Sequence, residues 1–307
     1  MRLRIFHTTR YVYPIQASES HNEARLMPLS DDDQTCLDFR LTLTPPARIF
    51  AYDLPSGRVH YFDTRVRHAE LAIQAESLVI THRQNPFRFL PAGNSAEDGE
   101  FYRRESVRQD YAEFLTATDR VQLHPETDRI AAIARKQASG AGTVPFLMAL
   151  TRQLYRVLVY APGATSVNTT ILHVLEHREG VCQDFAHLML AICRRQGIPA
   201  RYVSGYLYTG EAQPEGRDDG KAPGAPVDPD APHGLVSGNA MHAWVECLLT
   251  DNRWHGFDPT NNLLTNDYYV KVHTGRDYGD VPPVRGVYRG PFAHTLEVSV
   301  RVISDPV

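Results

Sequence analysis

Cysteine is scarce in this chain. Four stand in 307 residues, at 36, 182, 193 and 247, too few for a disulfide scaffold, and no two show the CxxC spacing of a structural zinc site. Long apolar runs are missing as well. Leu188–Cys193 spans six residues, whereas a membrane-crossing helix needs roughly 20. There is no excess of positive charge: 32 Lys and Arg stand against 36 Asp and Glu, a net charge of −4. A basic footprint for nucleic acid is therefore absent. Gly and Pro are present at ordinary levels and apolar residues make up 42%, which excludes a disordered, collagen-like or low-complexity chain. The opening MRLRIFHTTRYVYP has neither an apolar signal core nor a small-residue cleavage site. The expectation is a cytoplasmic protein with no membrane or nucleic-acid partner. Its oligomeric state is not legible.

What is present falls into two halves, as the length suggests at about 150 residues per domain. In residues 1–80 apolar positions alternate. Leu37, Phe39, Leu41 and Leu43 form one such run, and Leu71, Ile73, Ala75 and Val79 belong to another. Leu54-Pro55-Ser56-Gly57 reads as a hairpin turn between them. These short strands predict a small sandwich or barrel. Residues 84–120 read as irregular, and the domain junction is placed near 120, giving a β-rich domain over 1–120 and a second domain over 121–307. In the second, helical spacing appears at Ile130, Ile133, Ala134 and Gln137, and again from Phe146 to Leu158. A helix is predicted from Ser166 to about 179, and another from about 182 to 196, stopped by Gly197 and Pro199. Strands follow at ARYVSGYLY, MHAWVECLL, RWHGFD and TLEVSVRVI. Helices followed by antiparallel strands make an α+β pattern. Residues 209–238 hold six Gly, five Pro and six acidic residues and are predicted to be a surface loop.

The segment Gly180-Val181-Cys182-Gln183-Asp184-Phe185 puts Cys182 at a helix start. The free N–H groups and the dipole there favour a thiolate and can hold an oxyanion. Read locally, Cys182 is equally a small buried residue. A nucleophile needs a base, and the base an orienter. His242 begins a predicted strand and Asp258 ends the next one. Antiparallel pairing brings the two to one sheet edge.

GVCQDFAHLMLAICRRQGIPARYVSGYLY, then HAWVE, then W-x-x-FDPT resemble the transglutaminase-like core over about residues 150–275. The first 80 residues resemble the β-rich N-terminal domain that precedes this core in many bacterial members. The resemblance implies a papain-like fold, with helices packed on an antiparallel sheet behind a sandwich-like N-terminal domain. It implies Cys182 as nucleophile, His242 as base and Asp258 as orienter, acting on a peptide or protein substrate with no cofactor. Acyl transfer would run through a cysteine thioester resolved by water, in a peptidase or amidase, or by an amine, in a transamidase. Hydrolysis needs only solvent access and is slightly favoured. Trp244 and Asp184 are the substrate-site candidates: Trp244 reads equally as a pocket wall or a buried core residue, and for Asp184 helix capping ranks ahead of lining the cleft.

Two rival readings remain. His173-Val174-Leu175-Glu176-His177 fits H-x-x-E-H, a zinc-peptidase signature, with both histidines on one helical face. No third ligand is identifiable. Alternatively, the fold could serve as a non-catalytic binding module, although such a module gains little from keeping all three triad residues. Cys193 lies three helical turns from Cys182, about 16 Å away and out of disulfide range. Cys36, Cys193 and Cys247 are expected to be structural, and His187 to be a packed histidine.

Overall fold

The computed structural model describes residues 1–83, 85–91, 94–210, 235–236, 240–290 and 293–305. Most of the predicted 209–238 loop lies outside the described residues.

The first five strands are β1 (Arg2–Ala24), β2 (Gln34–Thr44), β3 (Ile49–Leu54), β4 (Gly57–Thr64) and β5 (His68–Thr81). Period-2 alternation sets their faces: Leu3, Ile5, His7 and Thr9 on β1 are all buried, and the residues between them are less so. β1 serves two sets of partners. Residues 2–12 pair with β5 and residues 20–24 with β4, which curls the sheet into the order β2-β5-β1-β4-β3. The hairpin at Leu54-Pro55-Ser56-Gly57 closes with Leu54 opposite Gly57. The alternation on β2 fails at Leu37, which is exposed because a bulge between Cys36 and Asp38 shifts the register.

The stretch expected to be irregular contains two helices, α1 (Ser95–Arg103) and α2 (Glu105–Asp110). Asn94 caps the first by accepting the N–H groups of Ala96 and Glu97. Their buried residues Phe101 and Val107 pack with Leu248, a contact remote in sequence. Local periodicity could not show it.

The helical layer continues with α3 (Glu126–Gln137) and α4 (Thr143–Val157). Then come the short strand β6 (Val159–Tyr160), α5 (Ile171–His177), the short strand β7 (Glu179–Gly180) and α6 (Cys182–Arg195). The helix predicted from Ser166 begins at Ile171 instead. The Thr170 side chain accepts the His173 N–H (3.3 Å) and sets the start there. Helix α6 is the centre of the core, buried at every residue from Gln183 to Arg194. It stops at Gly197, whose φ of +76° suits glycine.

Next come β8 (Ala200–Leu207), β9 (His242–Leu248), β10 (Trp254–Asp258), β11 (Leu263–Leu264) and β12 (Tyr269–Gly275), an antiparallel sheet in the order β11-β10-β9-β8-β12. The chain ends with β13 (Val284–Arg289) and β14 (Thr295–Ser304). Sequence position assigns these last strands to the second half, but both pair with β1. The first sheet therefore includes the end of the chain. Leu3, Ile5, Val79, Val300 and Val302 from that sheet share one apolar cluster with Tyr206, Val270 and Val272 from the second. Polar contacts reinforce the junction. His7 Nδ1 lies 2.9 Å from the Tyr206 hydroxyl, and Lys271 Nζ lies 2.8 Å from Asp31 and 2.7 Å from Glu246. No helix among the described residues is long and apolar enough to cross a membrane.

Candidate active site

Cys182 is the first residue of α6, with extended Val181 before it. The N–H groups of Asp184 and Phe185 both donate to the Val181 carbonyl, so the helix begins tightly. Asp184 completes the start: its Oδ2 accepts the Val181 N–H (2.8 Å) and the Thr165 hydroxyl (2.6 Å). Gly180 must be glycine, since a Cβ there would lie 2.7 Å from the Asp184 Cβ. This packing leaves the N–H groups of Cys182 and Gln183, among the described residues, facing no backbone acceptor. Two such donors beside a sulfur are what a developing oxyanion requires.

His242 opens β9 and Asp258 closes β10. The pairing of Phe257 with Val245 brings the two ends together. His242 Nε2 lies 2.8 Å from Asp258 Oδ2, with both side chains essentially out of solvent. Nδ1 is thereby left for Cys182. Asp258 is held on every side: Tyr269 Oη donates to Oδ2 (2.8 Å), Asn261 Nδ2 donates to the same oxygen (2.7 Å), and the Thr260 N–H donates to Oδ1 (2.8 Å). Burial would raise this carboxyl, but the His242 charge and these hydrogen bonds hold it below the usual carboxylate range. For His242, burial favours the neutral ring. The charge and hydrogen bond of Asp258 outweigh it, and charge and hydrogen-bond interactions with Cys182 add to them, raising the imidazole to about 10. The arrangement can hold an imidazolium at neutral pH beside the sulfur.

Cys182 and His242 both line a cavity of about 340 Å³. Gln183, Tyr160, Tyr202 and Tyr278 line it too, as do residues of β1 and β14. Sequence reasoning missed these walls because they come from distant segments. It also missed Asn261 and Tyr269. Asn261 lies in the DPTNN turn, three residues after Asp258, a weak local signal, whereas Tyr269 had none. Asn261 does a second job: it exchanges hydrogen bonds with Val236, N–H to Oδ1 at 2.7 Å and Nδ2 to carbonyl at 3.2 Å.

The two substrate-site candidates take their other roles, Trp244 in the core and Asp184 at the helix cap. Trp244 is 1% exposed, in a cluster with Val203, Leu207 and Tyr269, and its ring lies roughly parallel to that of His242 with centroids 6.2 Å apart. It backs the imidazole from the core. Asp184 is 2% exposed and caps α6. Neither lines the cavity. The His173 and His177 rings stack at 4.0 Å, with His177 Nδ1 on the His173 carbonyl and Glu176 exposed. Among the described residues no group of three or more His, Cys, Asp or Glu is arranged to hold a metal ion. His187 is packed: its Nε2 accepts the Tyr278 N–H (3.2 Å), and burial lowers the ring to about 4. Cys193 and Cys247 are buried together with their sulfurs 3.8 Å apart, and all four cysteines are free thiols.

Residues 131–259 match the family model of the transglutaminase-like superfamily core, and residues 3–80 match that of the bacterial transglutaminase-like N-terminal region. An uncharacterized protein of Mycobacterium leprae is 34% identical over 302 residues, 98% of each chain. One of Mycobacterium tuberculosis is 32% identical over 312 residues, 98% of this chain and 92% of the relative. A shorter match, 30% over 99 residues, covers 32% of this chain and 12% of a protein-glutamine gamma-glutamyltransferase of Pseudomonas aeruginosa. The crystal structure of a protein described as a candidate cysteine protease from Cytophaga hutchinsonii has a TM-score of 0.67 at 21% identity, covering 100% of this chain and 92% of that one. That likeness bears on the fold. With both family segments in order on one chain and full-length relatives above 30% identity, this chain belongs to the transglutaminase-like superfamily and carries its bacterial N-terminal region.

Proposed function

We propose that the chain is a cysteine enzyme that cleaves peptide or carboxamide bonds through a thioester on Cys182. The observation that carries this reading is the buried pair of His242 and Asp258, 2.8 Å apart, beside a cysteine at a helix start on the same cavity. A charged imidazolium held in the core without a reaction partner would bring desolvation cost and no return.

In the proposed reaction Asp258 stays ionised and keeps His242 protonated. The Cys182 thiolate attacks the carbonyl carbon. A C–S bond forms, and the carbonyl oxygen takes the negative charge toward the N–H groups of Cys182 and Gln183. Collapse expels the amine or ammonia, which takes its proton from His242 Nδ1. Neutral His242 then draws a proton from water or from an amine as that group attacks the thioester. Release of the acyl product restores the thiolate and the imidazolium. Water gives hydrolysis and an amine gives transamidation. The open cavity admits solvent, and we favour the hydrolytic outcome, a peptidase or amidase. The four free thiols suit a reducing compartment, and we place the protein in the cytoplasm.

The test is capture of the acyl-enzyme. Incubation with a peptide-amide library followed by mass spectrometry should find an acyl adduct on Cys182. Cys182→Ala should abolish adduct and turnover alike, and chelators should leave both unchanged. Activity lost on chelation and restored by zinc would transfer the chemistry to His173, Glu176 and His177 and overturn this reading.

A further inference from the structure

Part of the wall of the cavity that holds the nucleophile comes from the N-terminal sheet. His7, Thr9 and Tyr11 stand two residues apart on β1 and so project from one face. β14 runs antiparallel beside them, with Val298 opposite Thr9 and Leu296 opposite Tyr11. All five side chains line the cavity that holds Cys182 and His242. The charged residues of these strands lie on the other face: Arg10 bridges Glu70 (2.7 Å) and Glu297 (2.9 Å) there.

No Asp, Glu, Lys or Arg is among the described residues lining the cavity. His7 adds no charge. Burial lowers it to about 4, and its nitrogens lie 2.9 Å from the Tyr206 hydroxyl and 3.0 Å from the Thr9 hydroxyl. Burial, with a smaller effect of Tyr278, raises the Tyr11 phenol to about 12, so it stays protonated. Apart from the reacting pair, no described residue lining the cavity carries a charge at neutral pH. A charged group set against the β1 and β14 wall would leave water without gaining a charged partner on that wall.

We propose, resting on the cysteine-enzyme reading above, that this sheet face is the acyl-side specificity pocket. It takes an uncharged apolar or aromatic group next to the reacting carbonyl, selected by Tyr11, Leu296 and Val298. The N-terminal region is then half of the substrate site rather than an appendage to it. At about 340 Å³ the space suits one large side chain with its flanking backbone.

The test uses three iodoacetamides that share one warhead and a benzyl tail. The tail is plain, carries a carboxylate, or carries an aminomethyl group. In each case the Cys182 sulfur displaces iodide, so the labelling rate reads the fit of the tail. The plain tail should label Cys182 roughly tenfold or more faster than either charged tail, the scale on which an unpaired charge is rejected by an apolar site. Leu296 is half-exposed, so substitution there spares the core. Leu296→Lys should raise the relative rate of the carboxylate tail, and Leu296→Asp that of the aminomethyl tail, each several-fold, about the effect of one nearby opposite charge. Glu297→Gln, on the other face, should leave the ratios unchanged. Equal rates for the three tails, or ratios indifferent to Leu296, would overturn the pocket. Selective labelling in a protein that turns over no amide would instead sink the enzyme reading and leave the pocket standing. Turnover with unselective labelling would do the reverse.

Discussion

His242 Nε2 and Asp258 Oδ2 lie 2.8 Å apart in a place where neither side chain is more than 1% exposed. The two residues are 16 apart in sequence and meet because β9 and β10 are paired antiparallel. The carboxylate is fixed independently by Tyr269, Asn261 and the Thr260 N–H. Its position therefore does not rest on the imidazole alone.

Asp258→Asn should fold with reduced stability, since both carboxylate oxygens accept from donors and the amide keeps only one accepting oxygen. Turnover should fall by a factor of ~10² to 10⁴, because an amide cannot stabilise the imidazolium. The pH profile of Cys182 alkylation should move as well. Wild-type turnover across pH 6 to 9 would show Asp258 to be structural alone.

Stability should depend on alkaline pH in a specific direction. His242 is raised from 6.5 to about 10 in the folded protein. Its contribution is complete below pH 6.5 and is lost as pH rises through about 10. The thermal midpoint of the wild type should decline across this window, and Asp258→Asn should flatten the decline. Equal slopes for the two proteins would mean that Asp258 does not hold the ring charged.

Tyr269→Phe keeps the ring that meets Trp244 edge-on with centroids 5.3 Å apart and removes only the hydroxyl on Asp258. A hydrogen bond to a charged group is worth about 1.5–3 kcal/mol, and urea unfolding should show a loss of that order. Turnover should fall with KM little changed, since the hydroxyl acts on the orienter and not on substrate. An unchanged unfolding midpoint together with unchanged turnover would remove Tyr269 from the support of Asp258.

Glu246 is buried between Lys271 Nζ (2.7 Å) and Arg201 (2.6 Å). Burial works against its charge, yet the two cations lower it to about 2. Glu246→Ala leaves both cations short of their buried partner and should cost about 3–5 kcal/mol. Asp31 also meets Lys271, but its side chain is 32% exposed, and Asp31→Ala should cost less than about 1 kcal/mol. The Glu246 contribution is present above its ordinary value of 4.5 and is lost as pH falls toward 2. Comparable losses from the two substitutions in urea would contradict this ranking.

The site was legible to the extent that local sequence carries its chemistry. Cys182 could be placed because a glycine before it and an apolar helix after it mark a helix start. His242 and Asp258 could be paired because two short strands joined by a tight turn have one sensible register. The substrate wall was not legible. From the sequence Trp244 read equally as wall or core, and strand pairing puts it in the core behind the imidazole. Helix geometry turned Asp184 back onto the Val181 N–H. The helices at 95–110 escaped notice because their apolar contacts lie on Leu248, far along the chain.

The sequence by itself determined most of the elements, and it put Cys182 at a helix start, His242 at the opening of one strand and Asp258 at the end of the next, in that chain order. These depend on period-2 and 3.6-residue patterning, on Gly and Pro breaks, and on residue chemistry, all of which act over a few positions. Only the tertiary structure decided that β13 and β14 return to β1, and that β1 and β14 then share with Cys182 and His242 a cavity whose described lining holds no Asp, Glu, Lys or Arg. The physical reason is that a strand's partners are chosen by the burial of whole sheet faces. Leu3 and Ile5 find Val302 at the other end of the chain because the first sheet needs an apolar face to set against β8 and β12. No local window records that choice.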